Sequence, residues 1–288
     1  MKYALFMGCT PYGAAPELAK SLRVVSDRLN IELTELKEAS CCGAAHLQDY
    51  DDFLALTLNA RNLCYAQNLG LEMVTVCNTC QLVLSNAADR LKSNKPLLER
   101  VNGKLEQIGL RYDADTKVRH FLYVLRDDLG FANIPVSNAL NGWRIAPFYG
   151  CHNLRGAAIN GDNSFNPSSL DDLIDALGGK KVSYEHKNSC CGFHTEIQSP
   201  LTTYRLSGEI LTGADNCGAN MIVTPCPLCQ LSLDAKQDSA AKAAQQPVKI
   251  PVLHLTQMIG LAMGIDQKEL GLDHNIVPLP TLQKAQAE

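Results

Sequence analysis

The sequence predicts an α/β protein of two pseudo-symmetric halves. Each half is a small, mainly parallel sheet flanked by helices, with cysteines at the carboxyl ends of its strands. Three observations carry this expectation. The first is an internal repeat: Cys9, the pair Cys41-Cys42 before Gly43, and Cys77-x-x-Cys80 recur as Cys151, Cys190-Cys191 before Gly192, and Cys226-x-x-Cys229. In both copies 34 residues separate the pair from the Cys-x-x-Cys, and only the first gap differs, 31 residues against 38. The second is the alternation of short apolar runs with segments of helical periodicity. The third is that every cysteine group follows one of those apolar runs, where ligands gather in parallel sheets.

The elements follow in order. Residues 2–8 read as a buried strand ending at Cys9, and Pro16 fits the first turn of a helix carrying Leu18, Leu22, Val25 and Leu29 on one face. A strand over 31–36 leads to Cys41-Cys42. A helix over 51–69 presents Phe53, Leu56, Ala60 and Leu63, and closes near Gly70. A strand over 73–76 delivers Cys77, with Cys80 at the start of the next helix, and 92–116 reads as helix plus connector. The second half predicts strands at 144–149, 182–185 and 221–223, and helices at 170–177 and 201–216. Pro167, Ser168 and Asp171 open the first of these helices and Gly178-Gly179 stops it. Similar runs around His120 and His254 close the halves, which gives domain limits of 1–140 and 141–288. The final PLPTLQKAQAE reads as a loose tail.

With 46% hydrophobic residues in 288, the chain can bury a core without a metal staple. A net charge of −4, with no basic run longer than Lys180-Lys181, gives no reason to expect nucleic acid. No apolar stretch approaches the 18 residues of a membrane span, and the N-terminal apolar run is too short for a signal peptide. A cytoplasmic location is expected, and thiols kept reduced there read as metal ligands or redox groups rather than disulfides. Gly178-Gly179-Lys180-Lys181 has neither the spacing nor the position of a phosphate loop, and no dinucleotide fingerprint occurs. Flavin or NAD, if used, belongs to a partner.

Ten of the twelve cysteines are in the repeat, five in each copy. A structural zinc site takes four ligands, so five leave one over, and adjacent cysteines rarely reach one small ion without strain. An iron–sulfur cluster is larger, and neighbouring thiolates can reach different irons. Five thiolates therefore mean a cubane with one free cysteine beside it, or a cluster that is not a cubane. Helix N-termini beside Cys80 and Cys229 are expected to favour the thiolate.

The double pattern resembles the CCG-domain family, and within it the B-subunit of heterodisulfide reductase. The resemblance rests on MGC at 7–9, SCCG at 40–43, ARNLC at 60–64 and VTVCNTC at 74–80. In the second half it rests on YGCH at 149–152, CCG at 190–192, IVTPCPLC at 222–229 and IPVLHL at 250–255. It implies two noncubane [4Fe-4S] clusters, one on Cys9, Cys41, Cys42, Cys77 and Cys80, the other on Cys151, Cys190, Cys191, Cys226 and Cys229. It also implies two partners in a multi-subunit complex, a small ferredoxin-like electron carrier and a flavin protein that feeds it. The implied enzyme works on disulfide or carrier-bound sulfur. The chain departs from the methanogen pattern at Gly43, Ala44, Ala45 and His46, and at Phe193, His194, Thr195 and Glu196. The reading therefore leans to the related complex of sulfur-oxidising microbes. The alternatives are an electron-transfer-only CCG subunit of a lactate, glycerol-phosphate or succinate-type oxidoreductase, and a zinc-stabilised structural subunit.

Reduction of a disulfide consumes protons, which makes His152 and His194 candidate proton donors, with His46 behind them. Arg155 is a candidate for an anionic group, and the loop over 156–169 for a lid. Cys64 and Cys217 fall outside the repeat and read as structural. His120 and His254 recur between the halves and read as core residues with a common structural job, such as orienting a turn.

Overall fold

The computed structural model describes residues 1–44, 46–156 and 161–280. Its first half runs β1 (Lys2–Phe6), α1 (Pro16–Arg28), β2 (Glu32–Glu35), α2 (Leu47–Tyr50), α3 (Asp52–Asn68), β3 (Met73–Thr75), α4 (Asn78–Ser93), α5 (Lys95–Leu105), β4 (Val118–His120) and α6 (Phe121–Val124). The second runs β5 (Arg144–Pro147), α7 (Ser169–Ala176), β6 (Lys180–Lys181), α8 (Pro200–Asn216), β7 (Met221–Thr224), α9 (Pro227–Asp234), α10 (Gln237–Ala244), β8 (Val252–His254) and α11 (Leu255–Ala262).

Both sheets are parallel and four-stranded, in the orders β2-β1-β3-β4 and β6-β5-β7-β8. The order follows from the residues. Strands buried on both faces read as continuous apolar runs, and Tyr3 to Phe6 and Met221 to Thr224 are all buried. Glu32–Glu35 alternates charge with smaller contact, and Lys180–Lys181 is exposed, as edge strands are. In each sheet the chain leaves the first strand on one side and returns on the other. This creates a switch point at the carboxyl ends, where ligands gather in such sheets. Cys9 and Cys77 flank that point in the first half, and Cys151 and Cys226 flank it in the second.

Alternate residues of the central strands face opposite layers, and each layer is continuous across the two halves. One includes Ala4, Phe6, Leu63, Ile222 and Val252, the other Tyr3, Leu5, Val74, Ile145 and Val223. Helices of the two halves also touch directly: buried Ser21 on α1 and Thr256 on α11 pair at 2.7 Å between hydroxyl oxygens.

One expectation is corrected. The strand over 182–185 is instead Lys180–Lys181, with a 3₁₀ turn at Glu185–Asn188. Val182 adds one backbone bond, to the Ile145 carbonyl at 2.8 Å, before the edge chain turns toward its cysteines. The stretch over 92–116 is helix plus connector, as expected: its helix is α5, which Asn94 caps by accepting the Leu97 N–H at 3.1 Å. Within the loop over 156–169, residues 157–160 lie outside the described residues, as do 281–288 of the tail and Ala45.

Candidate metal centres

Each cysteine is placed by a short local device. After β1 and β5 the chain passes through Gly8 (φ +78°) and Gly150 (φ +68°), in the left-handed region that favours glycine. The turn makes Cys9 and Cys151 the N-caps of 3₁₀ turns at Thr10–Tyr12 and His152–Leu154. Cys77 and Cys226 are the N-caps of α4 and α9, which puts Cys80 and Cys229 in the first helical turn. The first of these helices therefore begins at Asn78, two residues earlier than the start at Cys80 that the spacing predicted.

The adjacent pairs are held from the helix that follows. On α3, Asn62 accepts the Ser40 N–H at 3.0 Å and donates to its carbonyl at 3.2 Å, and Asn59 donates to the Cys42 carbonyl at 3.0 Å. On α8 and α9, Ser207 and Ser232 donate to the Cys191 carbonyl at 3.0 and 2.9 Å, and Thr203 donates to the Gly192 carbonyl at 2.9 Å. These residues were missed in the sequence. Their available signal was a set of polar residues on the apolar face of a helix just after a cysteine pair.

The thiols gather as the repeat predicts. Cys41 lies 3.5 Å from Cys9 and Cys42 lies 3.5 Å from Cys80, sulfur to sulfur. Backbone N–H groups of Gly43 and Gly192 donate to Cys41 and Cys190 at 3.4 Å. Cys77 and Cys226, from opposite halves, are 4.0 Å apart. Their proximity makes the protonation states interdependent. Cys190 is drawn down to about 6, first by the Cys151 thiol donating to it, with the Gly192 N–H and nearby Arg155 adding to the effect. Cys42 is lowered by its neighbours Cys41 and Cys80. Cys80 and Cys229 are raised, first by the facing thiols Cys42 and Cys191. At Cys80 and Cys229 neighbouring sulfur and burial act against the thiolate that a helix N-terminus favours.

This donor set fits a multi-iron cluster. All ten thiols are free, and thiolates are the ligands such clusters take. Among the described residues no group of three or more His, Cys, Asp and Glu is arranged around a single ion. The space beside the sulfurs is kept open by glycine: a Cβ at Gly8 would stand 3.3 Å from the Cys80 sulfur, and one at Gly150 would stand 3.0 Å from the Cys229 sulfur. A cavity of about 140 Å³ opens beside Cys9 and Cys41. Cys64 is buried away from both sets, with burial pushing its thiol up to about 11, and Cys217 is exposed at the end of α8.

The sequence-predicted histidines meet at the second set. His152 Nδ1 is 2.9 Å from Thr79 Oγ1, His194 Nε2 is 3.5 Å from the same oxygen, and His194 Nδ1 is 3.2 Å from His46 Nε2. Thr79 belongs to the Cys-x-x-Cys of the first half, and His46 follows that half's cysteine pair. Burial lowers His152, and burial followed by the neighbouring His152 and His46 lowers His194 to about 4. Arg155 is exposed just beyond His152.

His120 and His254 carry the structural job expected of them, and the structure shows what it is. Each accepts a backbone N–H of its own half through Nδ1, from Leu122 at 3.1 Å and from Thr256 at 3.3 Å. Each spans to the other half through Nε2, reaching the Pro225 carbonyl at 2.9 Å and the Val76 carbonyl at 3.1 Å. Pro225 and Val76 immediately precede Cys226 and Cys77. The pair forms a reciprocal latch. One neutral tautomer serves both bonds, with the proton on Nε2, and burial holds both histidines down at about 4.

Two parallel sheets that present paired five-thiol sets define a cysteine-rich class of protein. The chain belongs to the CCG cysteine-rich domain family, whose model matches residues 3–85 and 145–234. At the level of particular proteins, it is similar to the membrane anchor of the 8-methylmenaquinol:fumarate reductase of Wolinella succinogenes, 37% identical over 96% of this chain and 97% of that one. It is also similar to a protein of Archaeoglobus profundus described as like the heterodisulfide reductase B-subunit, 32% identical over 94% of this chain and 93% of that one. The B-subunit of a ferredoxin/F(420)H(2)-dependent CoB-CoM heterodisulfide reductase from Methanosarcina acetivorans is 30% identical over 96% and 94% of the two chains. A solved structure of a hypothetical protein from Helicobacter pylori shares the fold, with a TM-score of 0.82 at 16% identity over 97% of this chain. This chain spans about half of that one, 52%. Among the described residues no helix is long and apolar enough to cross a membrane.

Proposed function

We propose that this chain is the two-cluster B-subunit of a heterodisulfide-reductase-like complex. Each five-cysteine set would hold a noncubane [4Fe-4S] cluster, and the chemistry would be on thiol, disulfide or carrier-bound sulfur between the halves 1–140 and 141–288. The observation that carries the reading is the meeting of the two sets, with Cys77 and Cys226 4.0 Å apart across the pseudo-twofold. Clusters bound there would exchange single electrons and offer iron to a sulfur ligand.

The chain's own residues do the rest. The latch histidines and the α3 and α8 side chains fix the thiols. Thr79 orients His152 through Nδ1, which leaves His152 Nε2 to give or take the proton that accompanies each thiol, with His194 beside it. The departures from the methanogen pattern after the two pairs, at Gly43 to His46 and at Phe193 to Glu196, lean the reading to the sulfur-oxidising version of such a complex. Electrons would pass through a ferredoxin-like partner and a flavin partner in the cytoplasm, which the likeness to heterodisulfide reductase B-subunits supports.

The test is iron, labile sulfide and zinc on protein purified without oxygen, followed by EPR spectra with and without added thiol. About eight irons per chain and a thiol-dependent signal support the reading. About four irons, or zinc at one set, would sink it. A second reading is electron transfer alone, in a succinate- or fumarate-type oxidoreductase, and the 37% identity to the Wolinella protein favours it. Two clusters that are reduced by a menaquinol analogue but give no response to thiols would select that second reading.

A further inference from the structure

The chain after α11 crosses to the first half and returns, and its path is fixed at four places. Ser137 and Asn138, at the end of the first half, donate backbone N–H groups to the Ala262 carbonyl at 3.1 and 2.9 Å, and the Ser137 hydroxyl donates to the Met263 carbonyl at 2.6 Å. Leu270, fully buried, then lies against Gly260 of α11. At α1 the Lys20 ammonium donates to the Lys268 carbonyl. Gly271 (φ +68°) meets the same helix so closely that a Cβ there would stand 2.7 Å from the Cβ of Glu17. Last, Asp234 at the end of α9 accepts the Ile276 and Val277 N–H groups at 2.7 and 3.0 Å, and Asn275 donates to the Val252 carbonyl at 2.8 Å. Residues 263–277 thus form a strap that leaves the second half, passes over α1 of the first, and comes back.

Two carboxyl groups are buried beside this strap, one from each half: Glu17 is 6% exposed and Asp234 is 5% exposed. Few charged groups face them. Glu17 faces Asp234 and, on the strap, His274, while Lys20 is engaged at the Lys268 carbonyl. Asp234 faces Glu17 and Lys249, and Lys249 already pairs with Asp238 at 2.8 Å. Burial raises both carboxyls above their ordinary values; at Glu17 its own backbone N–H and His274 oppose the rise, and Asp234 adds to it. Asp234 has two N–H donors from the strap to support its charge. An ionised Glu17 has only its own N–H at the start of α1, with a buried like charge across from it.

We propose that the strap is a pH-sensitive clasp between the halves, closed while Glu17 is protonated and loosened when Glu17 ionises against Asp234. A carboxyl raised by the closed strap holds its proton more tightly there than when the strap is open to water. The closed form is therefore fully favoured below the ordinary value of 4.5, and the advantage is lost as pH rises through the raised one. His274 acts in the same direction, because only its protonated form attracts an ionised Glu17. The clasp runs opposite to the latch of His120 and His254, whose rings are buried neutral and which acid loosens.

The test is hydrogen exchange, read by mass spectrometry over 271–277 of the purified protein between about pH 5 and about pH 8 and corrected for the intrinsic rate at each pH. Protection there falls several-fold as pH rises. Glu17→Gln, equal in size and uncharged, keeps the protection level across the range. Gly271→Ala, which drives a Cβ into Glu17, loses protection at every pH. Protection that is flat or rises with pH in the wild-type protein would overturn the proposal, and that result depends on no variant. An unchanged slope in folded Glu17→Gln would overturn it as well, as would full protection in Gly271→Ala.

Discussion

The reciprocal latch makes a prediction that ordinary destabilisation cannot imitate. His254→Asn keeps an acceptor near the Nδ1 position and so preserves the cap on α11. It loses the Nε2 bond to Val76, 178 residues away in the other half. The Val76 carbonyl, buried at 0% exposure, is then left without that donor. An unsatisfied buried acceptor costs about 1–3 kcal/mol. That cost falls on the junction of β3 and α4, which carries Cys77 and Cys80, and not on the mutated half. Local opening there becomes easier by the same amount, and amide exchange over 77–84 accelerates about 5- to 150-fold. Exchange over 226–233 stays near wild type. His254→Gln is the converse, keeping a donor near Nε2 and losing the cap. It costs about 1 kcal/mol at α11 and spares 77–84. His120→Asn gives the mirror result, fast exchange at 226–233 with 77–84 unchanged. Hydrogen exchange read by mass spectrometry on the purified protein is the assay. Equal acceleration in both halves, or acceleration confined to the half that carries the substitution, would refute the latch.

Other perturbations follow from the same geometry. Gly150→Ala combines left-handed strain of about 1–2 kcal/mol with a Cβ 3.0 Å from the Cys229 sulfur, and iron per chain should fall by about half. Gly8→Ala, at 3.3 Å from Cys80, should retain more iron than Gly150→Ala. Cys64→Ser and Cys217→Ser should leave iron and sulfide unchanged, because both thiols lie outside the two sets; loss of a cluster in either would show the ligand assignment to be wrong. Acid should loosen the halves: His120 and His254 sit at about 4 when folded against 6.5 ordinarily. The folded state then binds fewer protons, so their stabilisation is complete above pH 6.5 and is lost as pH falls through 4. It amounts to about 3 kcal/mol for each histidine. Urea unfolding of the cluster-free chain should show that decline, and the His120→Asn, His254→Asn double variant should show a flatter one.

Much of this was legible in the residues because it was local or repeated. Five cysteines in register twice announced the two sets. Apolar runs such as YALF and MIVT announced central strands, and a carboxyl-end position for each thiol followed from their order along the chain. The helices over 51–69 and 201–216 were placed to within a residue or so, because their faces repeat at the helical period. Where local pattern is thin, the structure departs from it. Val182 and Tyr184 alternate like a strand, yet the chain there is an edge that must turn to deliver Cys190.

The sequence by itself determined the repeat, its ten cysteines and the α/β class, since each is written in neighbouring residues or in spacing. Only the tertiary structure decided which residues of one half serve the other. His120 reaches Pro225 over 105 residues, His254 reaches Val76 over 178, and His194 meets His46 over 148. Such partners share no period and no proximity along the chain, so nothing local encodes them. They are brought together by two parallel sheets whose hydrophobic layers run through both halves, and that packing also gives two matching cysteine sets unlike surroundings.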